Sequence, residues 1–220
     1  MKKLIIGNWK MNPASQKEAK ELFDAVEHGV KDAKAEVVVC PPYTYISELK
    51  GLTLGAQNVS LELKGAFTSQ ISAAQLKDLG VEYVIVGHSE VRKYLSETDE
   101  VIAKKITAAT GAGLKVILCV GENEGEDRNA VLEKQLAGIS NVVVAYEPVW
   151  AIGTGKNCAP ADVKEAVEKI KAMAGDVRVL YGGSVNAANA KEYLDAVDGL
   201  LVGGASLKAD EFIRIVESAA

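Results

Sequence analysis

Apolar residues in this chain come in short solid runs, at residues 4–9, 37–40, 52–57, 83–87, 116–120, 142–146, 177–181 and 200–203. The runs are near-continuous rather than alternating and rich in Val, Ile and Leu. That is the pattern of parallel strands covered on both faces. Between them polar and apolar positions repeat with a helical period, over 15–31, 72–79, 99–110, 161–173, 187–197 and 209–216. Local start and stop signals agree with these spans. Ser15 followed by Glu18 matches a capping box, and Pro160 suits a first helical position. Gly111 and Gly113 stand where a helix over 99–110 should close. The connections after the third and fifth runs are short, which predicts helices of only a turn or two there.

Alternating strand and helix implies right-handed crossovers and a parallel sheet. Eight such units predict an α/β fold, a closed (β/α)8 barrel of eight parallel strands in a short form, filling residues 1–220 as one domain. No G-x-G-x-x-G follows the first run, which argues against an open dinucleotide-binding sheet. Composition narrows the function classes. A chain that is 48% apolar with a net charge of −5 has no basic face for nucleic acid and no polybasic run for a membrane surface. The apolar start ends at Asn8, too short for a signal h-region or a span. Cys40, Cys119 and Cys158 form no C-x-x-C pair, and two histidines leave no zinc cluster. The expectation is a reduced, cytoplasmic protein without metal or cofactor.

The densest chemistry lies at Ala145-Tyr146-Glu147-Pro148-Val149-Trp150-Ala151-Ile152-Gly153-Thr154-Gly155. An apolar strand runs out at the carboxylate of Glu147, and Pro148 then ends the ladder. Val149, Trp150, Ala151 and Ile152 form an apolar tip before the glycine hinge. Such a segment, 148–156, reads as a lid that covers and dries the carboxylate when it shuts. An ordinary solvated Glu-Pro turn is the plainer reading. It leaves a Trp-Ala-Ile tip exposed, which is costly unless the tip packs on something.

Strand ends facing the helix-bound loops are where barrels place active sites. The first run delivers Asn8 and Lys10, whose two-residue spacing predicts that both side chains share one strand face. Lys10 could equally be a surface lysine. The fourth run delivers His88, followed by Ser89 and Glu90, at what should be a helix N-terminus. Lone histidines are more often structural, but that dipole disfavours imidazolium and leaves a neutral donor for a carbonyl. Gly-rich turns, Tyr181-Gly182-Gly183-Ser184 and Val202-Gly203-Gly204-Ala205-Ser206, follow the last two runs. One Gly-Gly usually means only a tight turn. Two at these strands predict a main-chain phosphate cradle.

Taken together, Asn8-x-Lys10, Gly87-His88-Ser89-Glu90, the 145–155 segment, Tyr181-Gly182-Gly183-Ser184 and Leu201-Val202-Gly203-Gly204-Ala205-Ser206-Leu207 resemble the triosephosphate isomerase family, in order and over essentially the whole chain. The resemblance implies interconversion of dihydroxyacetone phosphate and D-glyceraldehyde 3-phosphate without cofactor or metal. It assigns Glu147 as base and neutral His88 as electrophile, the pairing for which that family is known. Lys10 and Asn8 would stabilise the oxyanion and bind substrate, and Gly153, Ser184, Gly203 and Gly204 would hold the phosphate. Ser89, Glu90 and Tyr181 would support them: Glu90 would hold Lys10, and Ser89 would touch Glu147 while the lid is open. The 65–72 segment resembles the family's interdigitating loop, implying a homodimer in which Thr68 reaches the neighbouring copy. The chain is short for the family, chiefly over 122–141. Two other readings stay open: a different sugar-phosphate barrel enzyme, and a barrel that only binds phosphate metabolites. A Schiff-base aldolase would need a buried Lys where this chain has Glu147.

Overall fold

Each apolar run becomes a strand, and the reason is visible in which neighbours each side chain meets. The computed structural model describes residues 1–153 and 155–219. Its strands are β1 (Leu4–Asn8), β2 (Glu36–Cys40), β3 (Thr53–Ala56), β4 (Tyr83–Val86), β5 (Lys115–Val120), β6 (Val143–Tyr146), β7 (Val179–Tyr181) and β8 (Gly199–Val202). All neighbours pair in parallel, and β8 pairs with β1 to close an eight-stranded barrel. Alternate residues face opposite ways. Leu4, Ile6, Val38, Ile85, Ile117, Ala145 and Leu180 fill the barrel. Ile5, Val39, Val84, Val116, Val144 and Val179 pack outward against the helices. Both faces are therefore apolar, which is why the runs do not alternate.

The helices are α1 (Gln16–Gly29), α2 (Ala73–Asp78), α3 (Ser89–Tyr94), α4 (Asp99–Gly111), α5 (Arg128–Leu136), α6 (Pro160–Ala174), α7 (Ala190–Leu194) and α8 (Ala209–Glu217). Ser15 and Glu18 make the reciprocal capping box at α1, and Pro160 opens α6. Ala19, Phe23 and Val26 form the buried stripe of α1, and the Phe23 ring meets Trp9 edge-on at 6.5 Å. Burying a side chain such as Phe23 is worth about 1.5–3 kcal/mol. A 3₁₀ turn (Tyr43–Glu48) replaces a helix after β2. No helix among the described residues is long and apolar enough to cross a membrane.

Several boundaries differ from the sequence reading. Trp9 falls outside β1, and Gly87 and Gly203 fall beyond β4 and β8. Gly111 is still helical, and Gly113 (φ 78°) makes the turn that ends α4. The 187–197 helix shrinks to α7 because Asn186 Oδ1 accepts the N–H groups of Ala188 and Asn189, while Asn189 Oδ1 accepts that of Asn186. Those bonds favour a turn over a first helical turn. After β5, Asp127 caps a helix of nine residues, longer than the turn or two anticipated.

Closure of the barrel rests on a missing side chain. Gly199 lies in register with Leu4, and a Cβ there would fall 1.9 Å from the Leu4 carbonyl oxygen. Backbone cannot yield as a side chain can. Gly199→Ala should therefore cost about 3 kcal/mol or more, at the upper end of overpacking penalties. Urea unfolding of the purified variant checks this, and parental stability would contradict it.

Candidate active site

At the end of β1, Asn8 is buried while the chain turns out of extended geometry. Lys10 adopts φ 54°, so Asn8 and Lys10 reach the same place by a bend and not by strand alternation. The bend is held by side chains. The Lys10 N–H donates to Asn8 Oδ1 at 3.1 Å, and Gln57 Nε2 donates to the Lys10 carbonyl at 2.7 Å. Lys10 Nζ lies 2.5 Å from Glu90 Oε1, and its side chain is only 29% exposed. It is no ordinary surface lysine.

At the end of β4, His88 caps α3. The Glu90 N–H donates to His88 Nδ1 at 3.2 Å, so Nδ1 must carry a lone pair and the ring proton sits on Nε2. That Nε2 faces Glu147 Oε1 at 3.3 Å. Both side chains are almost fully enclosed, with Glu147 3% and His88 5% exposed. Ser89 meets Glu147 through its main chain, whose N–H lies 3.5 Å from Glu147 Oε2. A carboxylate so enclosed needs such donors, since burying an unpaired charge is costly.

Glu147 is seated where only glycine would fit beside it. Its N–H donates to the Val120 carbonyl at 2.7 Å. A Cβ on Gly121 would lie 1.9 Å from the Glu147 carbonyl oxygen, and one on Gly182 would lie 2.8 Å from its Cγ. The sequence reading gave Gly182 to the phosphate turn. Its backbone also makes room for the carboxylate.

A cavity of about 270 Å³ is lined by Asn8, Lys10, His88 and Glu147 on one side, and by Gly153, Gly183, Ser184, Gly203 and Gly204 on the other. All of the catalytic and phosphate-binding candidates meet here. Gly203 caps a short 3₁₀ turn (Gly204–Leu207). Ser184 Oγ donates to the Ala151 carbonyl at 2.7 Å, tying the lid segment to the turn after β7. Thr154 of the lid lies outside the described residues. Among the described residues no group of three or more His, Cys, Asp or Glu side chains gathers as a metal site.

A sequence model of the family described as "Triosephosphate isomerase" matches residues 3–219. The chain belongs to the triosephosphate isomerase family. It is similar to proteins named "Triosephosphate isomerase" from Alkaliphilus oremlandii (45% identical, 98% of each chain covered) and Caldanaerobacter subterraneus subsp. tengcongensis (46%, covering 97% of this chain and 98% of the relative). A third, from Escherichia coli O1:K1 / APEC, is 44% identical, covering 98% of this chain and 96% of the relative. The alignment to the first spans 246 positions, longer than the 220 residues here, so that relative carries segments this chain lacks.

Two supports of this candidate site escaped the sequence reading. Glu122, buried just beyond β5, accepts the Tyr146 hydroxyl at 3.0 and 3.2 Å and lies 3.5 Å from Arg128 Nε. Its carbonyl accepts the Val149 N–H at 2.9 Å, fixing the root of the lid. Burial foremost, then the Glu122 charge, hold the Tyr146 phenol well above its ordinary range. A carboxylate two residues past the fifth run was the available signal. The second support is Lys105, inside α4, which pairs with buried Glu97 and lies 3.0 Å from Asn58 Oδ1. An Asn, a Glu and a Lys so far apart in sequence carry no mutual spacing to read.

The His88 geometry has a direct spectroscopic consequence. Nitrogen NMR of the imidazole at neutral pH should show an unprotonated Nδ1 and a protonated Nε2. The reverse tautomer would show that the Glu90 N–H does not set the ring.

Proposed function

We propose that this chain interconverts dihydroxyacetone phosphate and D-glyceraldehyde 3-phosphate through an enediolate, with Glu147 and His88 as the acid–base pair. By its family the chain is an isomerase of triose phosphates. The observation that carries the residue assignment is the enclosed Glu147 carboxylate facing His88 Nε2 at 3.3 Å over a cavity closed by glycine turns. Glu147 takes the proton from the carbon beside the carbonyl and returns it to the neighbouring carbon. The His88 Nε2–H donates to the carbonyl oxygen, so negative charge develops against a hydrogen bond. His88 then moves protons between the two enediolate oxygens. Lys10 adds a fixed positive charge, restrained by Glu90, and Asn8 adds a donor.

The main-chain N–H groups of Gly153, Ser184, Gly203 and Gly204 hold the phosphate, remote from the reacting carbons. The 148–156 lid covers the site during reaction, and its Val149 and Ala151 anchors keep it registered on Glu122 and Ser184. Excluding water keeps the enediolate from side reactions. A barrel that merely binds phosphate metabolites would need the glycine turns, but not the enclosed carboxylate and the oriented imidazole.

We also read residues 1–220 as one domain that works as a homodimer in the cytoplasm. Met11, Phe67, Tyr94 and Leu95 are exposed. Phe67 and Leu95 also line a cavity of about 950 Å³ with Asn8, Lys10, Thr68 and Glu90. That much apolar surface beside the site suits a second copy inserting its Thr68 loop. The three cysteines are buried free thiols, as suits a reducing compartment.

Glu147→Asp should lower kcat by about 10²-fold with little change in KM, because withdrawing the carboxylate by ~1 Å spoils the attack geometry. Near-parental kcat would remove Glu147 from the role of base. Trimming Phe67 and Thr68 from their loop should yield folded monomers of low activity. Sedimentation paired with kinetics decides that, and fully active monomers would make the interface dispensable.

A further inference from the structure

The far end of the lid is fastened in a way the reaction itself does not require. Gly155, Lys156 and Asn157 are exposed, and then the chain plunges inward at Cys158, which is fully buried. A main chain entering the interior there must satisfy both of its polar groups. Two tyrosines from different elements do so. The Cys158 N–H donates to Tyr181 Oη at 3.3 Å, and Tyr193 Oη donates to the Cys158 carbonyl at 2.9 Å. Tyr181 ends β7 and Tyr193 sits in α7. Their rings stack at 4.3 Å with an interplanar angle of 28°, and both are buried.

Burial raises both phenols. Beyond burial, contact with Tyr193 raises Tyr181 further, while contact with Tyr181 lowers Tyr193. Each main-chain polar group of Cys158 is thus met by one of two stacked tyrosines, its N–H by Tyr181 and its carbonyl by Tyr193.

We propose that Tyr193 is a positioning residue for the lid, completing the pair of stacked tyrosines that pins Cys158 and confines hinge motion to the exposed residues before it. The inference rests on the lid reading given above and adds to it where the moving segment stops. Tyr193 touches neither substrate nor Glu147. It acts through Cys158 and Tyr181, so its loss should blur lid closure and leave the phosphate turns after β7 and β8 intact.

The test is Tyr193→Phe, which keeps the stacked ring and removes one hydroxyl. It leaves the Cys158 carbonyl without its partner in a buried place. We expect kcat to fall about 3- to 30-fold, the range for one buried hydrogen bond, with KM within about twofold. The share of methylglyoxal and inorganic phosphate among the products should rise, since a poorly closed lid lets the enediolate expel phosphate. Fluorine NMR of protein labelled with 5-fluorotryptophan reads the lid directly. On addition of phosphoglycolate, the Trp150 signal should show altered exchange in the variant, while buried Trp9 stays as reference. In the parent chain, hydrogen exchange should find the Cys158 amide protected and those of Gly155 to Asn157 fast, a measurement that needs no variant. Unchanged kcat, product ratio and Trp150 exchange overturn the proposal. So does activity lost only in proportion to folded protein, or a Cys158 amide exchanging as fast as its exposed neighbours. If the parent chain fails to isomerise at all, the enzymatic reading falls, while Trp150 exchange and Cys158 protection still decide the role of Tyr193.

Discussion

Everything near the mouth of this barrel is arranged around one enclosed carboxylate. A group such as Glu147, taken almost wholly out of water, is tolerated only where neighbouring dipoles replace the lost solvent. Here the Ser89 amide and the His88 imidazole take that place, and both are delivered by the single turn between β4 and α3. Their positions depend in turn on the closed sheet, which brings β4, β5 and β6 side by side in fixed register. Gly121 then leaves room for the Glu147 main chain, and Gly182 for its side chain. Barrel closure, strand register and the Glu147–His88 geometry are thus one constraint seen at three scales.

Charged pairs extend this arrangement outward. Lys10 leans on Glu90, which shares a helix start with His88, and Arg92 two residues further on pairs with Asp99 at the head of α4. The Arg92 guanidinium also reaches the carbonyl of Gly87 at 2.7 Å, just before the histidine. Beneath them Lys105, Glu97 and Asn58 form a buried cluster in which Glu97 Oε2 has no partner among the described residues. Buried pairs of this kind add little net stability, and removing one member is expensive. Their contribution is to fix where helices α3 and α4 begin.

How much of this was legible in the sequence differs by element, for physical reasons. The strands were readable because two-sided burial writes solid apolar runs, and each run fell within two residues of its strand. The lid, His88 and the glycine turns were readable because they are contiguous and sit at strand ends. The shared position of Asn8 and Lys10 was anticipated for a reason that does not hold. Alternation would have placed them together, whereas a left-handed residue held by Asn8 and Gln57 does so. Helix α7 was overdrawn because Asn186 and Asn189 compete for the backbone with bonds invisible to periodicity. Glu122 and the Lys105 cluster were missed because their partners are brought together only by the closed sheet.

The three thiols follow from the same packing and carry a separate consequence. Cys40 and Cys119 line the barrel interior, Cys158 sits under the lid's far end, and each is at most 1% exposed. Burial alone pushes the Cys40 thiol up, and burial foremost takes Cys158 to about 11, so neither reach nor ionisation favours attack in the closed protein. An oxidant or alkylating agent can act only on molecules that have already come apart. Modification then adds polar bulk to positions that must be refilled without it, and the molecule cannot close again. Each thiol is in effect a ratchet: a transient opening becomes permanent in an oxidising surrounding and leaves no trace in a reducing one. Working lifetime is thereby set by the redox poise of the surroundings as much as by the strength of the fold.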